Sequence, residues 1–290
     1  MRLVVISGRS GSGKSSALHV LEDLGFYCID NLPVALLPAL VKQTEGEEKL
    51  SRVAVSIDAR NLPHAFSHIH DVLHELPSEE YQLDVVYLDA SEEVLLQRFS
   101  ATRRKHPLTS PDISLAEAIE QEKHLLEPVA NLADLTLDTT NMSVHELRSL
   151  IKLRVAAKTS SDIAILFESF GFKHGIPIDA DYVFDVRNLP NPYWDPGLRR
   201  FTGQDEAIIR FLANEPQVGE MQQDISAFIQ RWLPAFIDAN RSYMTIAVGC
   251  TGGQHRSVYL AEQLAKEFRQ QYANVQVRHR ELHGVVQETA

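Results

Sequence analysis

The sequence has 290 residues, 44% hydrophobic and 23% charged, proportions of an ordinary globular chain that exclude a disordered, collagen-like or coiled-coil protein. With 28 Lys and Arg against 39 Asp and Glu its net charge is −11, which speaks against coating nucleic acid or anionic membrane by bulk charge but leaves room for a local basic patch. Two cysteines, Cys28 and Cys250, exclude a disulfide framework and predict a reducing, cytoplasmic setting.

No stretch approaches the ~20 apolar residues of a membrane span, and the apolar run Leu3–Ile6 is too short for a signal peptide. At roughly 150 residues per domain the length predicts two domains. In the first half, strands and helices alternate. Leu3–Ser7 reads as a strand, followed by a Gly-rich turn and a helix over Lys14–Leu24 with Ala17, Leu18 and Leu21 on one side. Val53–Ile57 and Asp84–Leu88 read as buried parallel strands. Helices are expected at Ala65–Leu76, Glu92–Phe99 and Ser114–Val129, the last opened by capping-box spacing between Ser114 and Glu117. Leu135–Asp138 is a last strand, and Ser143–Ala157 a last helix capped by Ser143 with Glu146. This alternation implies a doubly wound sheet.

The polar stretch Lys158–Asp162 places a boundary near residue 157, giving domains 1–157 and 158–290. The second part holds strands at Ile163–Phe167, Tyr182–Val186 and Tyr243–Val248, with a short one at Val275–Val277. Its helices are Asp205–Ala213, Asp224–Asp238 and Val258–Tyr272, and a Pro-rich loop spans Leu189–Pro196. No internal repeat or low-complexity segment interrupts the pattern.

Gly8-Arg9-Ser10-Gly11-Ser12-Gly13-Lys14-Ser15 fits G-x-x-x-x-G-K-[ST] at every fixed position, between a strand and a helix. Glycines let backbone N–H groups curl around phosphate oxygens, and the helix N-terminus adds partial positive charge. In such loops the lysine, here Lys14, reaches the β- and γ-phosphates and the following hydroxyl, Ser15, holds Mg²⁺. An acid for the metal's water shell is expected at a strand end, either Asp58 or Asp89. Asp30-Asn31 is a further cap or cleft pair. Arg103-Arg104-Lys105-His106 reads equally as a lid that meets phosphates or as a solvated loop.

Gly249-Cys250-Thr251-Gly252-Gly253-Gln254-His255-Arg256-Ser257 is a second Gly-rich turn between strand and helix, and Arg256 suits a bidentate phosphate contact. The same residues spell C-x₅-R-S, the spacing of cysteine-dependent phosphatases, with Trp194-Asp195-Pro196 as a source of general acid. Against that reading, Gly249 stands where such enzymes place a histidine. Lys173-His174-Gly175 and the acids and bases around Tyr182–Val186 (Asp179, Asp181, Asp185, Arg187, Asn188) are candidates to line the same turn.

Charge is unevenly placed. The first 157 residues carry 15 cations and 23 acids, net −8, and the rest 13 and 16, net −3. Within His255–Arg280, Arg256, Lys266, Arg269, Arg278 and Arg280 face only Glu262 and Glu267, a local net of +3 with His255 and His279 as extra donors. Such a stripe suits RNA phosphates, and it equally suits a solvated helix face.

Five segments together resemble the RapZ/YvcJ family: Gly8–Ser15, Phe26-Tyr27-Cys28-Ile29-Asp30-Asn31-Leu32-Pro33, Asp58-Ala59-Arg60-Asn61, Phe167-Glu168-Ser169-Phe170-Gly171-Phe172-Lys173-His174-Gly175 and Gly249–Val258. The resemblance spans nearly the whole chain. It implies a kinase-like P-loop domain with a parallel sheet, binding ATP at Gly8–Ser15 and GTP at Asp58, Ala59, Arg60 and Asn61. It also implies a C-terminal α/β domain similar to a phosphofructokinase fold, and a homotetramer. One branch of the family is an RNase adapter. It binds small regulatory RNA, presents it to an endoribonuclease and senses glucosamine-6-phosphate to tune amino-sugar synthesis.

Carried onto this chain, the phosphosugar would meet Lys173, His174, Asp181, Arg187, Cys250, Thr251, Gly252, Gly253, His255, Arg256 and Ser257. RNA would meet Lys266, Arg269, Arg278, His279 and Arg280. The adapter branch ends in lysines, whereas His283–Ala290 holds no Lys or Arg, so RNA binding is expected to be weaker or narrower here. A P-loop small-molecule kinase or NTPase is the alternative reading.

Overall fold

The apolar runs of the first half become the strands of one parallel sheet. The computed structural model describes residues 1–44, 51–61, 66, 68–76, 81–156, 163–239 and 241–282. The chain divides into two units, Met1–Ala157 and Lys158–Ala290, each with its own sheet.

In the first unit the strands are β1 (Arg2–Gly8), β2 (Tyr27–Ile29), β3 (Arg52–Ser56), β4 (Gln82–Asp89) and β5 (Leu135–Asp138), ordered β2-β3-β1-β4-β5 with every neighbouring pair parallel. All seven residues of β1 are buried, as a strand covered by helices on both faces requires. The helices are α1 (Lys14–Asp23), α2 (Leu37–Thr44), α3 (Ile69–His74), α4 (Glu92–Thr102), α5 (Leu115–Asn131) and α6 (Val144–Ile151). Leu3 and Val5 of β1, Val53 and Val55 of β3 and Val85 and Tyr87 of β4 pack with Leu37 and Val41 of α2 and with Leu126 and Val129 of α5. Each such side chain contributes about 1.5–3 kcal/mol of burial.

Both expected capping boxes form, Ser114 with Glu117 and Ser143 with Glu146. The expected helix Ser143–Ala157 differs at its end. After Ile151 it opens into a π-helical turn, Lys152–Ala156, whose Val155 carbonyl accepts from Arg2 Nη2 at 2.6 Å. Of the helix expected at Ala65–Leu76, the described part is α3; residues 62–65 and 67 lie outside the described residues.

In the second unit β6 (Ala164–Gly171), β7 (Tyr182–Asp185), β8 (Tyr243–Cys250) and β9 (Val275–His279) are ordered β7-β8-β6-β9, again all parallel. Its helices are α7 (Glu206–Ala213), α8 (Pro216–Asp238) and α9 (Arg256–Phe268). Helix α8 begins eight residues before the expected Asp224, because Pro216 sits at its first turn, where a missing N–H costs nothing. Ile165, Phe167, Ile246 and Val248 of the sheet pack with Ile229 and Leu233 of α8 and with Leu260, Leu264 and Phe268 of α9. Parallel strands deliver their C-terminal ends to one edge, so each Gly-rich loop opens at the edge where a doubly wound sheet places its ligands.

Candidate functional site

Strand β1 ends on Gly8, whose φ is 139°, and a Cβ there would lie 2.0 Å from the Leu88 carbonyl oxygen of the neighbouring strand. Only glycine passes at that distance. Gly13 caps α1 at φ 109° with no side-chain cap bond, which leaves the helix N-terminus for an anion. Lys14 is buried, and its Nζ donates to the carbonyls of Gly8 (2.7 Å) and Arg9 (3.1 Å). Burial lowers its pKa against the opposing pull of Glu122 and Asp58. The Ser12 hydroxyl is buried with no partner, and Ser15 is exposed at the start of the helix. Arg9 turns away from the loop: its Nε meets Asp89 Oδ1 at 2.6 Å and its Nη2 donates to the Ala90 carbonyl.

Three residues that local pattern did not flag, Glu122, Arg98 and Thr139, hold this loop from behind together with His106 of the expected lid. The buried Glu122 carboxylate accepts from the Ser10 amide (2.8 Å) and the Ser10 hydroxyl (2.7 Å), and lies 3.0 Å from His106 Nε2. Leu108 N–H donates to His106 Nδ1 at 3.2 Å, so the ring's proton sits on Nε2 and points at Glu122. Arg98 Nη1 donates to the Gly11 carbonyl (3.0 Å) and to Thr139 Oγ1 (3.0 Å). Thr139 Oγ1 lies 2.9 Å from the Ser12 carbonyl oxygen.

The loop opens into a cavity of about 610 Å³, lined by 10–16 together with Asp30, Asp58, Arg60, Arg98, Arg104, Lys105 and Thr139. Asp58 and Arg60 therefore face the same cavity as the phosphate loop. Burial pushes the Asp58 carboxyl up, but hydrogen bonds from Arg60 (Nη2 to Oδ2, 2.6 Å) outweigh it and hold the pKa below its ordinary value. Arg60 also pairs with Asp30 at 3.5 Å. Ala59 and Asn61 are buried, and Asn61 Oδ1 accepts the Val34 amide at 2.9 Å, so Asn61 fastens the chain after β2. Of the two strand-end acids, Asp89 is engaged by Arg9, and Asp58 faces the loop. Arg104 and Lys105 reach the cavity, while His106 is buried at its rear. An unpartnered hydroxyl, an uncapped helix start, a lysine and a hydroxyl beside two carboxylates fit a nucleotide triphosphate with Mg²⁺.

In the second unit β8 ends on Gly249 and Cys250. A Cβ on Gly249 would come within 2.4 Å of the Phe170 ring and 2.5 Å of Phe172, which explains a glycine where phosphatases carry histidine. Gly171 at the end of β6 packs as tightly on the loop: a Cβ there would lie 2.7 Å from the Gly252 carbonyl carbon. The buried Cys250 Sγ accepts from the Gly253 amide at 3.2 Å and lies 3.2 Å from Ser257 Oγ. Burial raises the thiol's pKa, but hydrogen bonds from Ser257, Gly253 and His255 outweigh it, and the net shift is downward.

Arg256, also buried, donates through Nη1 to the carbonyls of Arg187 (2.7 Å) and Leu189 (2.9 Å), with Nη2 3.5 Å from Thr251 Oγ1. Its Nε and the Nε2 of His255 are buried without a partner. Lys173 packs near Gly252 and its amide meets the Thr251 carbonyl, with His174 next in the chain. Arg187 stands 4.0 Å over the Phe172 ring and forks onto Asp185, which pairs in register with Gly249.

One expected ligand is misplaced. Asp181 precedes β7, and its Oδ2 accepts the Thr245 amide at 2.8 Å, four residues back along β8 from Gly249. In a parallel sheet the acid at the strand's C-terminal end, Asp185, lies beside the loop, and the one before the strand does not. Asp195 Oδ1 accepts the Gly197 amide at 2.8 Å, which closes a local turn.

The expected basic stripe divides in two. Lys266 and Arg269 are exposed and Arg280 is half-buried. Arg278 Nη1 is paired at 2.9 Å with Glu168, which is almost fully buried, and His279 is buried between Ser169 Oγ (2.8 Å) and Glu262 Oε1 (3.1 Å). Residues 283–290 lie outside the described residues. Among the described residues no cluster of His, Cys, Asp and Glu is suited to a metal ion, and no helix is long and apolar enough to cross a membrane.

Solved structures similar to part of the chain include a sugar kinase from Janibacter (TM-score 0.37, 20% identity, 54% of this chain and 96% of that one) and the shikimate kinase of Acinetobacter baumannii (TM-score 0.34, 16% identity, 55% and 95%). A protein of Marinobacter nauticus called a nucleotide-binding protein is 57% identical over 285 residues, 97% of each chain. One of the same name from Pseudomonas putida KT2440 is 57% identical over 284 residues, 97% of this chain and all of that one. The RapZ-like N-terminal domain matches residues 1–159 and the RapZ C-terminal domain residues 163–283, so the chain belongs to the RapZ family.

Proposed function

We propose that this chain is a nucleotide-binding regulatory adapter. The first unit takes ATP or GTP with Mg²⁺ in the cavity of the phosphate loop. The backbone of Gly8, Arg9, Ser10, Gly11, Ser12 and Gly13 wraps the phosphates, Lys14 neutralises them, and Ser15 with the Asp58 carboxylate holds the metal. Bound Mg²⁺ draws charge from the phosphate oxygens. The observation that carries this reading is the G-x-x-x-x-G-K-S loop beside a 610 Å³ cavity, with an unpartnered Ser12 hydroxyl and an uncapped α1. Relatives called nucleotide-binding proteins agree with it.

The second unit binds a phosphorylated sugar, glucosamine-6-phosphate, at the Gly249–Ser257 turn, and small regulatory RNA through its exposed cations. The protein presents that RNA to an endoribonuclease, works as a homotetramer in the cytoplasm, and is at most a weak NTPase. Support for the sugar phosphate comes from the buried, unpartnered Arg256 Nε–H and the buried, unpartnered His255 Nε2, beside a helix start with no side-chain cap. Sugar phosphate and RNA share the unit, so each is expected to change the other's affinity by the same factor.

Calorimetric titration with ATP and GTP tests the first part: Lys14→Ala loses at least about tenfold in affinity, equivalent to the ~1.4 kcal/mol of a single decade. Titration with glucosamine-6-phosphate, with Arg256→Ala as control, tests the second. A structured small RNA at low salt tests the third, and no binding there overturns the adapter reading. Turnover of a small phosphoryl acceptor that disappears with Lys14→Ala identifies a kinase instead.

A further inference from the structure

The loop between β7 and α7 has both ends fixed on the second Gly-rich turn. At its start the Leu189 carbonyl accepts from Arg256 Nη1 at 2.9 Å, and at its end the Gly203 amide donates to the Gln254 carbonyl at 2.8 Å. Its base is apolar: Leu189 is buried, and Leu198 and Phe201 pack against the core of the second unit. The tip is the reverse. Tyr193 is 46% exposed and Trp194 76%, in a short helical turn that starts at Pro192 and is capped by Asn191. The two rings meet edge to face, 6.0 Å apart. Arg199 stands 4.6 Å from the Tyr193 ring centre and its Nε donates to the Tyr193 carbonyl at 3.1 Å. Compact loops with joined ends are frequent carriers of binding residues, and this one holds a flat indole face out in water beside a cation.

The sheet extends this arrangement into a row. Its four strands are parallel in the order β7-β8-β6-β9, so their C-terminal ends share one edge. In that order the ends lead to the Trp194 loop, the Gly249–Ser257 turn, Lys173 and Arg280. Lys173 is exposed and Arg280 half-buried. Three strand steps of ~4.8 Å make the row about 14 Å long, the span of about four nucleotides stacked at ~3.4 Å each. An aromatic face at one end with cations beyond it is what unpaired nucleic acid requires, since its bases stack and its phosphates meet charge. A duplex has its base faces covered and cannot use the indole.

We propose that the Leu189–Gly203 loop is a base-stacking platform: an unpaired nucleotide of RNA stacks on Trp194, and the phosphates that follow run along the carboxyl edge of the sheet to Lys173 and Arg280. The proposal rests on the second unit being an RNA-binding one. It places the contact that tells single strand from duplex on this loop, apart from Lys266 and Arg269 of the α9 region. Stacking on an indole accepts any base, so the platform selects for unpaired RNA and not for a sequence.

The chain has two tryptophans, Trp194 and Trp232, so Trp232→Phe leaves Trp194 as the one indole of the full-length protein. Its emission is followed as a short single-stranded RNA is added at low salt, and the same strand annealed to its complement is the control. Quenching by the single strand and not by the duplex supports the proposal. Anisotropy of the labelled strand supplies the affinities. Trp194→Ala, with native circular dichroism, is expected to lose about fivefold or more, and Trp194→Phe to stay within about threefold of the parent. Neither removes a charge, so the slope of log affinity against log salt stays that of the parent. Bound RNA that leaves Trp194 emission unchanged, or a Trp194→Ala variant that binds as the parent does, overturns the platform and leaves RNA to the cations. Equal quenching by the duplex overturns the selection for unpaired bases. A parent that binds no RNA overturns the RNA reading itself and the platform with it.

Discussion

Truncating Glu122 to alanine tests whether the phosphate loop is held in shape from behind. The carboxylate is fully buried and accepts from the Ser10 amide, the Ser10 hydroxyl and His106 Nε2 at 2.8, 2.7 and 3.0 Å. Hydrogen bonds to a charged group contribute about 1.5–3 kcal/mol each. Ser10 is half-exposed and regains water, but His106 stays buried with a stranded N–H, so the expected loss for Glu122→Ala is about 3–5 kcal/mol. Nucleotide affinity falls with it, because Gly11 and Ser12 follow directly on the freed Ser10. Glu122→Gln separates geometry from charge. Its carbonyl oxygen keeps both N–H donors and its amide faces the Ser10 hydroxyl, so the expected loss is only about 1–2 kcal/mol, with nucleotide affinity within threefold of the parent. Urea unfolding and calorimetric titration of the three proteins decide it. An alanine variant as stable as the parent, with unchanged affinity, refutes the idea that Glu122 positions the loop.

Gly13→Ala forces a Cβ to 2.5 Å from Leu147 at a φ of 109°, so it is expected to cost about 1–3 kcal/mol in a thermal melt and to abolish nucleotide binding. Gly249→Ala places a methyl group against Phe170 and Phe172, and a similar loss is expected in the unfolding of the second unit, with the nucleotide titration unchanged. Asp58 carries a folded pKa below its unfolded value, so its contribution is present above about pH 4 and is lost as pH falls through the folded value. Arg60→Ala removes the side-chain bonds that do most to offset burial, leaving the residue-60 amide and the Lys14 charge against it, and acid unfolding followed by circular dichroism is expected to begin at a higher pH than in the parent.

The parallel sheets and the phosphate loop were legible because each rests on local chemistry. Runs such as Leu3–Ile6 and Val53–Ile57 are apolar on both faces, and the loop's glycines and lysine occur at spacings that phosphate dictates. Capping boxes at Ser114 and Ser143 are local too. Glu122 was illegible because its partner Ser10 lies 112 residues away, and no periodicity marks one acid of an amphipathic helix as the buried one. Asp181 and Asp185 are indistinguishable by composition; only the parallel register with β8 shows which of them reaches the second turn. The start of α8 at Pro216 was hidden because its first two turns bring only Val218 and Met221 to the core and carry Gly219.

The same dependence on pairing decides how the basic stripe is to be tested. By composition Arg278 and Arg280 are equivalent, yet the Arg278 side chain is 12% exposed against a Glu168 that is 2% exposed, 2.9 Å away. Removing one partner of a buried pair typically costs about 3–5 kcal/mol, because the other charge stays buried. Arg278→Ala is therefore expected to unfold the second unit in less urea than the parent, and weaker RNA binding by that variant reports lost folding. Lys266 and Arg269 are exposed and Arg280 is half-buried, and none of the three makes an ion pair of the Arg278–Glu168 kind among the described residues. If they contact RNA phosphates, each alanine lowers the slope of log affinity against log salt by about 0.7–0.9, without moving the urea midpoint. A triple variant with both unchanged removes RNA from this face, and an Arg278→Ala variant as stable as the parent refutes the buried pair.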